Sequence, residues 1–128
     1  MSEFTPAREC VSVAKFRDSP PSARSPQKKR NPGEKKGPHL HTIRDSYFVC
    51  TRGKVVFIIK TENGNYEEIE SSEENPTLVH IPKNIPSAHI NLSNKISSVL
   101  ALASHSWKPN DNEMQNVTFD DYDWKKWD

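Results

Sequence analysis

Two histidines one residue apart, His39 and His41, open the stretch GPHLHTIRDSYFVCTRG at 37–53, and this stretch restricts what the chain can fold into. On an extended strand, residues two apart point to the same face, so both imidazoles project into whatever that face encloses. The following sequence supplies walls for such an enclosure: the run KVVFIIK at 54–60, a His and Pro cluster from His80 to His89, and the run VLALA at 99–103. Short apolar runs separated by turn residues predict a small β-sandwich or barrel. No segment has the apolar period of a long helix.

Local signals divide the chain further. The β-branched and aromatic runs 47–50 and 55–59 flank Arg52-Gly53, which predicts an antiparallel pair joined by a turn there. Asn63-Gly64 is the strongest hairpin signal, and 66–70 returns as a half-exposed strand with its acids outward. Pro76, Pro82 and Pro86 punctuate the strands predicted at 77–81 and 87–92, and 96–104 is the last clear strand. The tail at 120–127 is acidic and aromatic. Trp124 and Trp127 are three apart, on one side of a short helical turn, and read with Trp107 as packing anchors.

A chain of 128 residues supports one core, and an apolar fraction of 33% predicts that part of it lies outside that core. Residues 10–16 alternate weakly, as an edge strand does. Residues 19–33 carry four prolines and a cluster of bases, so they predict a mobile linker. The expected division is an N-terminal edge strand and Pro-rich basic linker at 1–36, then a barrel with its tail at 37–128. Net charge is +1, and Lys28-Lys29-Arg30 reads as a solvated segment rather than a nucleic-acid site. No run is long enough to span a bilayer and no signal-peptide core opens the chain, which predicts a cytoplasmic protein without a membrane partner. Cys10 and Cys50 lack a spacing motif and read as reduced thiols.

Taken together, a glycine, His-x-His, an apolar strand closing on Gly53, and an Ile-Pro-x-x-x-Pro turn at 81–86 leading to Asn91-Leu92-Ser93 resemble the two motif halves of a cupin barrel. Within cupins the chain is most similar to the nucleotide-sugar 3,4-ketoisomerases of deoxysugar biosynthesis. Their Gly-x-His-Ala-His is echoed at 37–41, their Leu-Val-Cys-x-x-Gly at 48–53, and their Leu-Ala-Ser at Leu102-Ala103-Ser104. The resemblance covers roughly 35–107. The tail at 112–124 resembles the end of the related sugar 3,5-epimerases. The resemblance implies an all-β, single cupin (jelly-roll) antiparallel barrel and a nucleotide-sugar ligand. A homodimer through edge strands follows from the need to cover an open barrel's edges.

It also implies the chemistry. Metal-binding cupins add a carboxylate and a third His to His-x-His; here those positions fall on Ser46 and Ser87, so a metal-free site with no cofactor is expected. Imidazole titrates near neutrality, and two side by side can take a proton from one sugar carbon and return one to its neighbour. His39 and His41 are the candidate catalytic pair; Lys36, Tyr47, Arg52, Ser87 and His89 are the candidate substrate-binding residues. The family's N-terminal Lys-Arg-x-Tyr segment, with its active-site tyrosine, has no counterpart here. The leading expectation is therefore a ketoisomerase-like isomerase. A non-catalytic cupin that binds a sugar or nucleotide sugar stands second, and a metal-dependent cupin enzyme third.

Overall fold

A computed structural model describes residues 27–106, 108 and 110–128. Nine strands run in chain order: β1 Gln27–Arg30, β2 Lys35–His41, β3 Ser46–Arg52, β4 Lys54–Lys60, β5 Tyr66–Ser72, β6 Val79–Ile81, β7 Ser87–Asn91, β8 Ser97–Ala103 and β9 Met114–Asn116. They form two antiparallel sheets, ordered β1-β8-β3-β6 and β5-β4-β7-β2-β9. This is the all-β cupin jelly roll expected from the sequence.

Alternation along β4 explains how the sheets are covered. Val55, Phe57 and Ile59 point between the sheets and pack with Cys50, Val79, Ile81 and Val99, while Val56 and Ile58 point the other way. A strand buried on both faces reads as a continuous apolar run, which is why KVVFIIK shows no alternation. The outer face that Val56 and Ile58 share with Ala88 and Ile90 is covered by Phe119, with Val117, Tyr122, Trp124 and Trp127 packed around it. Trp124 and Trp127 bound a 3-10 turn, Trp124–Trp127, and serve as the expected packing anchors; Trp107 lies outside the described residues.

Three expectations are corrected. The runs around Arg52-Gly53 are not a hairpin: β3 and β4 lie in different sheets, and the turn crosses between them. Gly53 has φ +81, and a Cβ there would lie 2.2 Å from Ser97 Oγ. That crowding comes from β8, which no local turn rule contains. Secondly, the basic segment at 27–30 is not wholly linker. Gln27–Arg30 pairs with β8 as an edge strand of its sheet. The sandwich therefore begins by Gln27 rather than after residue 36; the predicted strand at 10–16 and the linker up to residue 26 lie outside the described residues. Thirdly, the tail contributes a strand, β9, on the edge of β2.

The hairpin at Asn63-Gly64 is present between β4 and β5, with Gly64 at φ +89. Cys50 is buried and reduced, and burial pushes its thiol above the ordinary value. No helix among the described residues is long and apolar enough to cross a membrane.

The tail is held by ionisable contacts with a definite pH signature. Lys126 Nζ donates to Glu68 Oε2 at 2.8 Å, Tyr122 Oη donates to the same oxygen at 2.5 Å, and Trp127 Nε1 donates to Tyr122 Oη at 2.7 Å. Tyr66 donates to Asp121. The Lys126 and Tyr122 hydrogen bonds hold Glu68 below its ordinary pKa, and the Tyr66 bond does the same for Asp121. Burial, then the facing carboxylates, pushes Tyr66 and Tyr122 up to about 12. The lowered carboxylates favour docking above their unfolded pKa values and lose that contribution as pH falls through the folded ones. The raised phenols favour docking below their ordinary value of 10.0 and lose it as pH rises towards about 12. Tryptophan fluorescence of the docked tail is expected to be flat between roughly pH 5 and pH 10 and to change on both sides. A change only on the acid side would show that the tyrosine bonds do not hold the tail.

Candidate active site

The site is built where β2 leaves the sandwich. Lys36 pairs with His89 and His39 with Ser87, so two residues of β2, Gly37 and Pro38, stand opposite the single residue Ala88. This bulge contains Gly37, at φ +86, and the cis Gly37-Pro38 bond. A Cβ on Gly37 would stand 2.8 Å from the Ser87 carbonyl oxygen, so only glycine lets β2 approach β7 this closely. Ser87, His89 and Asn91 pair with Ile59, Phe57 and Val55, which face inward. By register His39, His41 and Lys36 therefore share the inward face with Ser87 and His89. The expected juxtaposition of the histidines is present: their rings meet edge to face, with centroids 5.4 Å apart.

A carboxylate completes the pair. His41 Nδ1 lies 2.8 Å from Glu113 Oε2, and Glu113 is 7% exposed. Glu113 is fixed from three sides: the Arg44 amide donates to Oε1 at 3.1 Å, the Thr42 amide donates to its carbonyl at 2.8 Å, and its own amide donates to Asp111 Oδ1 at 3.1 Å. Burial alone would raise the Glu113 pKa; the hydrogen bonds from His41 and the Arg44 amide, with both side-chain charges, outweigh burial and hold it below the ordinary value. An ionised carboxylate only accepts, so Nδ1 carries the proton, and in the neutral ring Nε2 holds the lone pair. The Arg44 guanidinium lies against the same ring, Nε 3.2 Å from Nδ1 and one terminal nitrogen, NH2, 3.4 Å from Nε2. With Nδ1 already a donor, the Nε contact is a charge contact, and the NH2 contact is a long hydrogen bond that a substrate must displace for Nε2 to act as a base. A shallow depression open to solvent lies beside this group, lined by Ile43, Arg44, His105, Ser106, Asp111 and Glu113.

The other candidates divide. His89 is 8% exposed and sits against Phe57 and Phe48, with ring centroids 5.3 and 6.1 Å away. Lys36 is exposed beside it in register. Tyr47 is not brought to the histidines: it alternates with the inward Phe48 and stacks on His80 across the outer face, centroids 4.5 Å apart. Arg52 is exposed at the far end of β3 from Ser46, where the chain crosses to β4. Glu113 and Arg44 were not among the candidates. The likeness of the 112–124 tail to the epimerase end was the available signal for Glu113; for Arg44 there was none.

Ser46 is buried at 4% and faces inward, and Ser87 stands beside His39. Two hydroxyls and three imidazoles, one wedged between phenylalanines and one committed to Glu113, do not fit a resident cupin metal. Among the described residues no group of three or more His, Cys, Asp or Glu is arranged to hold an ion.

Comparison with known proteins bears on the family and the fold. The family described as "FdtA: WxcM-like, C-terminal" matches residues 28–123. Among solved structures, the capsular polysaccharide assembling protein CapF from Staphylococcus aureus superposes with a TM-score of 0.68 at 21% identity, covering 73% of this chain and 27% of its own. A dTDP sugar isomerase from Desulfovibrio desulfuricans G20 gives 0.66 at 14% identity, covering 73% and 63%. A dTDP-4-dehydrorhamnose 3,5-epimerase from Elizabethkingia anophelis NUHP1 gives 0.64 at 20%, covering 77% and 60%. The chain thus spans less than two thirds of each of these relatives. No curated protein matches it.

Proposed function

The chain belongs to the FdtA family of WxcM-like, C-terminal domains, and from that membership and the geometry of His41 we propose a cupin isomerase that shifts the keto group of a 4-keto-6-deoxy nucleotide sugar by metal-free acid/base chemistry. The carrying observation is the 2.8 Å contact between His41 Nδ1 and the buried Glu113, with His39 edge-on beside it. Nε2 of His41 takes the C3 proton, and the C3–H electron pair moves through C4 to the carbonyl oxygen as an enediolate. Glu113 then faces an imidazolium, whose charge it offsets. The 3-hydroxyl proton passes to O4, His39 delivers a proton to C4, and the 3-keto, 4-hydroxy sugar results, the proton taken up by His41 replacing the one His39 gave up. General acid/base groups of this kind contribute ~10²- to 10⁴-fold. Ser87, His89 and Lys36 line the same face and are the proposed sugar and phosphate contacts; Tyr47 and Arg52 have no part in this site.

One observation favours the non-catalytic reading as the alternative. The chain has three tyrosines, and all stand elsewhere: Tyr47 on His80, Tyr66 and Tyr122 in the tail contacts. No phenol can replace the family's tyrosine at the histidines. Pairing of two copies at the sheet edges, β1 and β6 or β5 and β9, belongs to the same proposal.

The test is incubation with a 4-keto-6-deoxy nucleotide sugar in deuterium oxide. Loss of the C3 proton signal and appearance of the 3-keto isomer are expected. Binding without exchange would replace the isomerase by the sugar-binding reading, and neither binding nor exchange would sink both.

A further inference from the structure

We propose that Met114 reads the C6 methyl of the sugar, a role that rests on the nucleotide-sugar reading and gives the ligand a direction along β2. β9 pairs with β2 in register, with Met114 opposite His41 and Asn116 opposite His39. Directly opposed residues of an antiparallel pair project to the same side, with Cβ atoms about 4.5–5.5 Å apart. Met114 therefore stands beside His41 on the inward face, whereas Gln115 goes with Leu40 to the outer one.

Polarity changes from one end of β2 to the other. Of the three large apolar side chains that stand exposed among the described residues, two lie at the His41 end: Met114, 53% exposed, and Ile43, 43% exposed, which lines the depression beside Glu113. At the other end stands the exposed Lys36, and Asn116 beside His39 is polar. A 6-deoxy nucleotide sugar is divided in the same way. Its diphosphate is on C1, and the one alkyl substituent of its ring is the methyl on C5. With the diphosphate at Lys36, the C4–C5 edge, which lies opposite the C1–C2 edge, turns towards His41 and brings the methyl to Met114. Residues 36 to 41 of an extended strand cover roughly 15 Å, room for a pyranose and a phosphate. A thioether suits this position, because it offers a methyl an apolar contact and its unbranched chain adapts to the fit. A 6-hydroxyl in the same place would lose water without gaining a partner, so the wall that accepts the methyl disfavours the hydroxylated sugar. Glu113 is bonded to His41 on one side of Met114 and the Phe119 cluster follows on the other, so the backbone of this wall is held at both ends.

The test is calorimetric binding of dTDP-quinovose, dTDP-glucose and dTDP to the unaltered chain, Met114→Gln and Met114→Leu. The two sugars differ only in the C6 hydroxyl, and dTDP carries no sugar. Because the readout is binding, it does not depend on the proton chemistry. Burying one alkyl carbon corresponds to about fourfold in affinity, and an apolar pocket separates ligands that differ by one methylene by about 10-fold or more. The unaltered chain, with a wall open on one side, is expected to prefer dTDP-quinovose by about 4- to 10-fold. Met114→Gln keeps the length of the side chain and is expected to abolish the preference by weakening dTDP-quinovose alone; Met114→Leu is expected to keep most of it. dTDP is expected to bind all three chains equally, which separates a lost methyl contact from a damaged site. Equal binding of the two sugars by the unaltered chain, a preference that survives in Met114→Gln, or a loss shared by dTDP would overturn the role of Met114 and leave the nucleotide-sugar reading standing. Binding of none of the three compounds by the unaltered chain would remove that reading and the role of Met114 together.

Discussion

Replacing His41 by Asn is expected to lower C3 exchange by about 10²- to 10⁴-fold, the contribution of a positioned proton-transfer group, while the barrel remains folded. His41 lies at the end of β2, outside both apolar clusters, so the amide removes a base without opening a cavity in either. Asn can still donate to Glu113, which keeps the carboxylate satisfied and makes the variant a test of basicity rather than packing. His39→Asn is expected to differ in kind. If His39 returns the proton at C4, exchange at C3 continues while the 3-keto product fails to accumulate. The two variants therefore separate the halves of the proton transfer, by following deuterium at C3 and product at C4. Equal loss of both signals in both variants would show that the histidines act together on one step. Exchange in His41→Asn at the unaltered rate would remove His41 from the chemistry altogether.

The second large effect is expected far from the histidines. Phe119 is 3% exposed, stacks on Trp124 with centroids 6.0 Å apart, and meets Tyr66 at 5.0 Å. Phe119→Ala is expected to lower stability by about 3–5 kcal/mol, the range for removing a buried phenylalanine. Its functional effect follows from the three exposed residues of β9, which bring no apolar anchor of their own. That strand is pinned between Glu113 on one side and the Phe119 cluster on the other, and pairs its backbone with His39, Leu40 and His41. Releasing the cluster frees β9, and with it Glu113. Urea titration measures the stability term; exchange measured where circular dichroism shows the barrel intact measures the other. Unchanged exchange with a released tail, seen by tryptophan fluorescence, would show that Thr42 and Arg44 hold Glu113 without help from the cluster.

These effects also separate what is local from what is not. The pairing of His39 with His41 was legible because it needs only the two-residue period of a strand, and the Asn63-Gly64 hairpin because its turn preference lies in the dipeptide itself. Both apolar runs, at 54–60 and 99–103, declared themselves by apolar content. Charge, by contrast, misled at 27–30, since the edge of β8 accepts backbone partners without regard to the side chains of the strand that binds there.

The sequence by itself determined a small all-β chain, a cupin-like order of motifs, and two imidazoles on one face, because each depends on residues close together along the chain. Only the tertiary structure decided which strands share a sheet across Gly53, that Tyr47 turns away towards His80, and that Glu113 meets His41. Glu113 lies 72 residues from His41. Nothing in the local physics of either segment records the other: their contact exists because an apolar outer face on β4 and β7 draws in the aromatic tail, and β9 must then lie along the edge of β2.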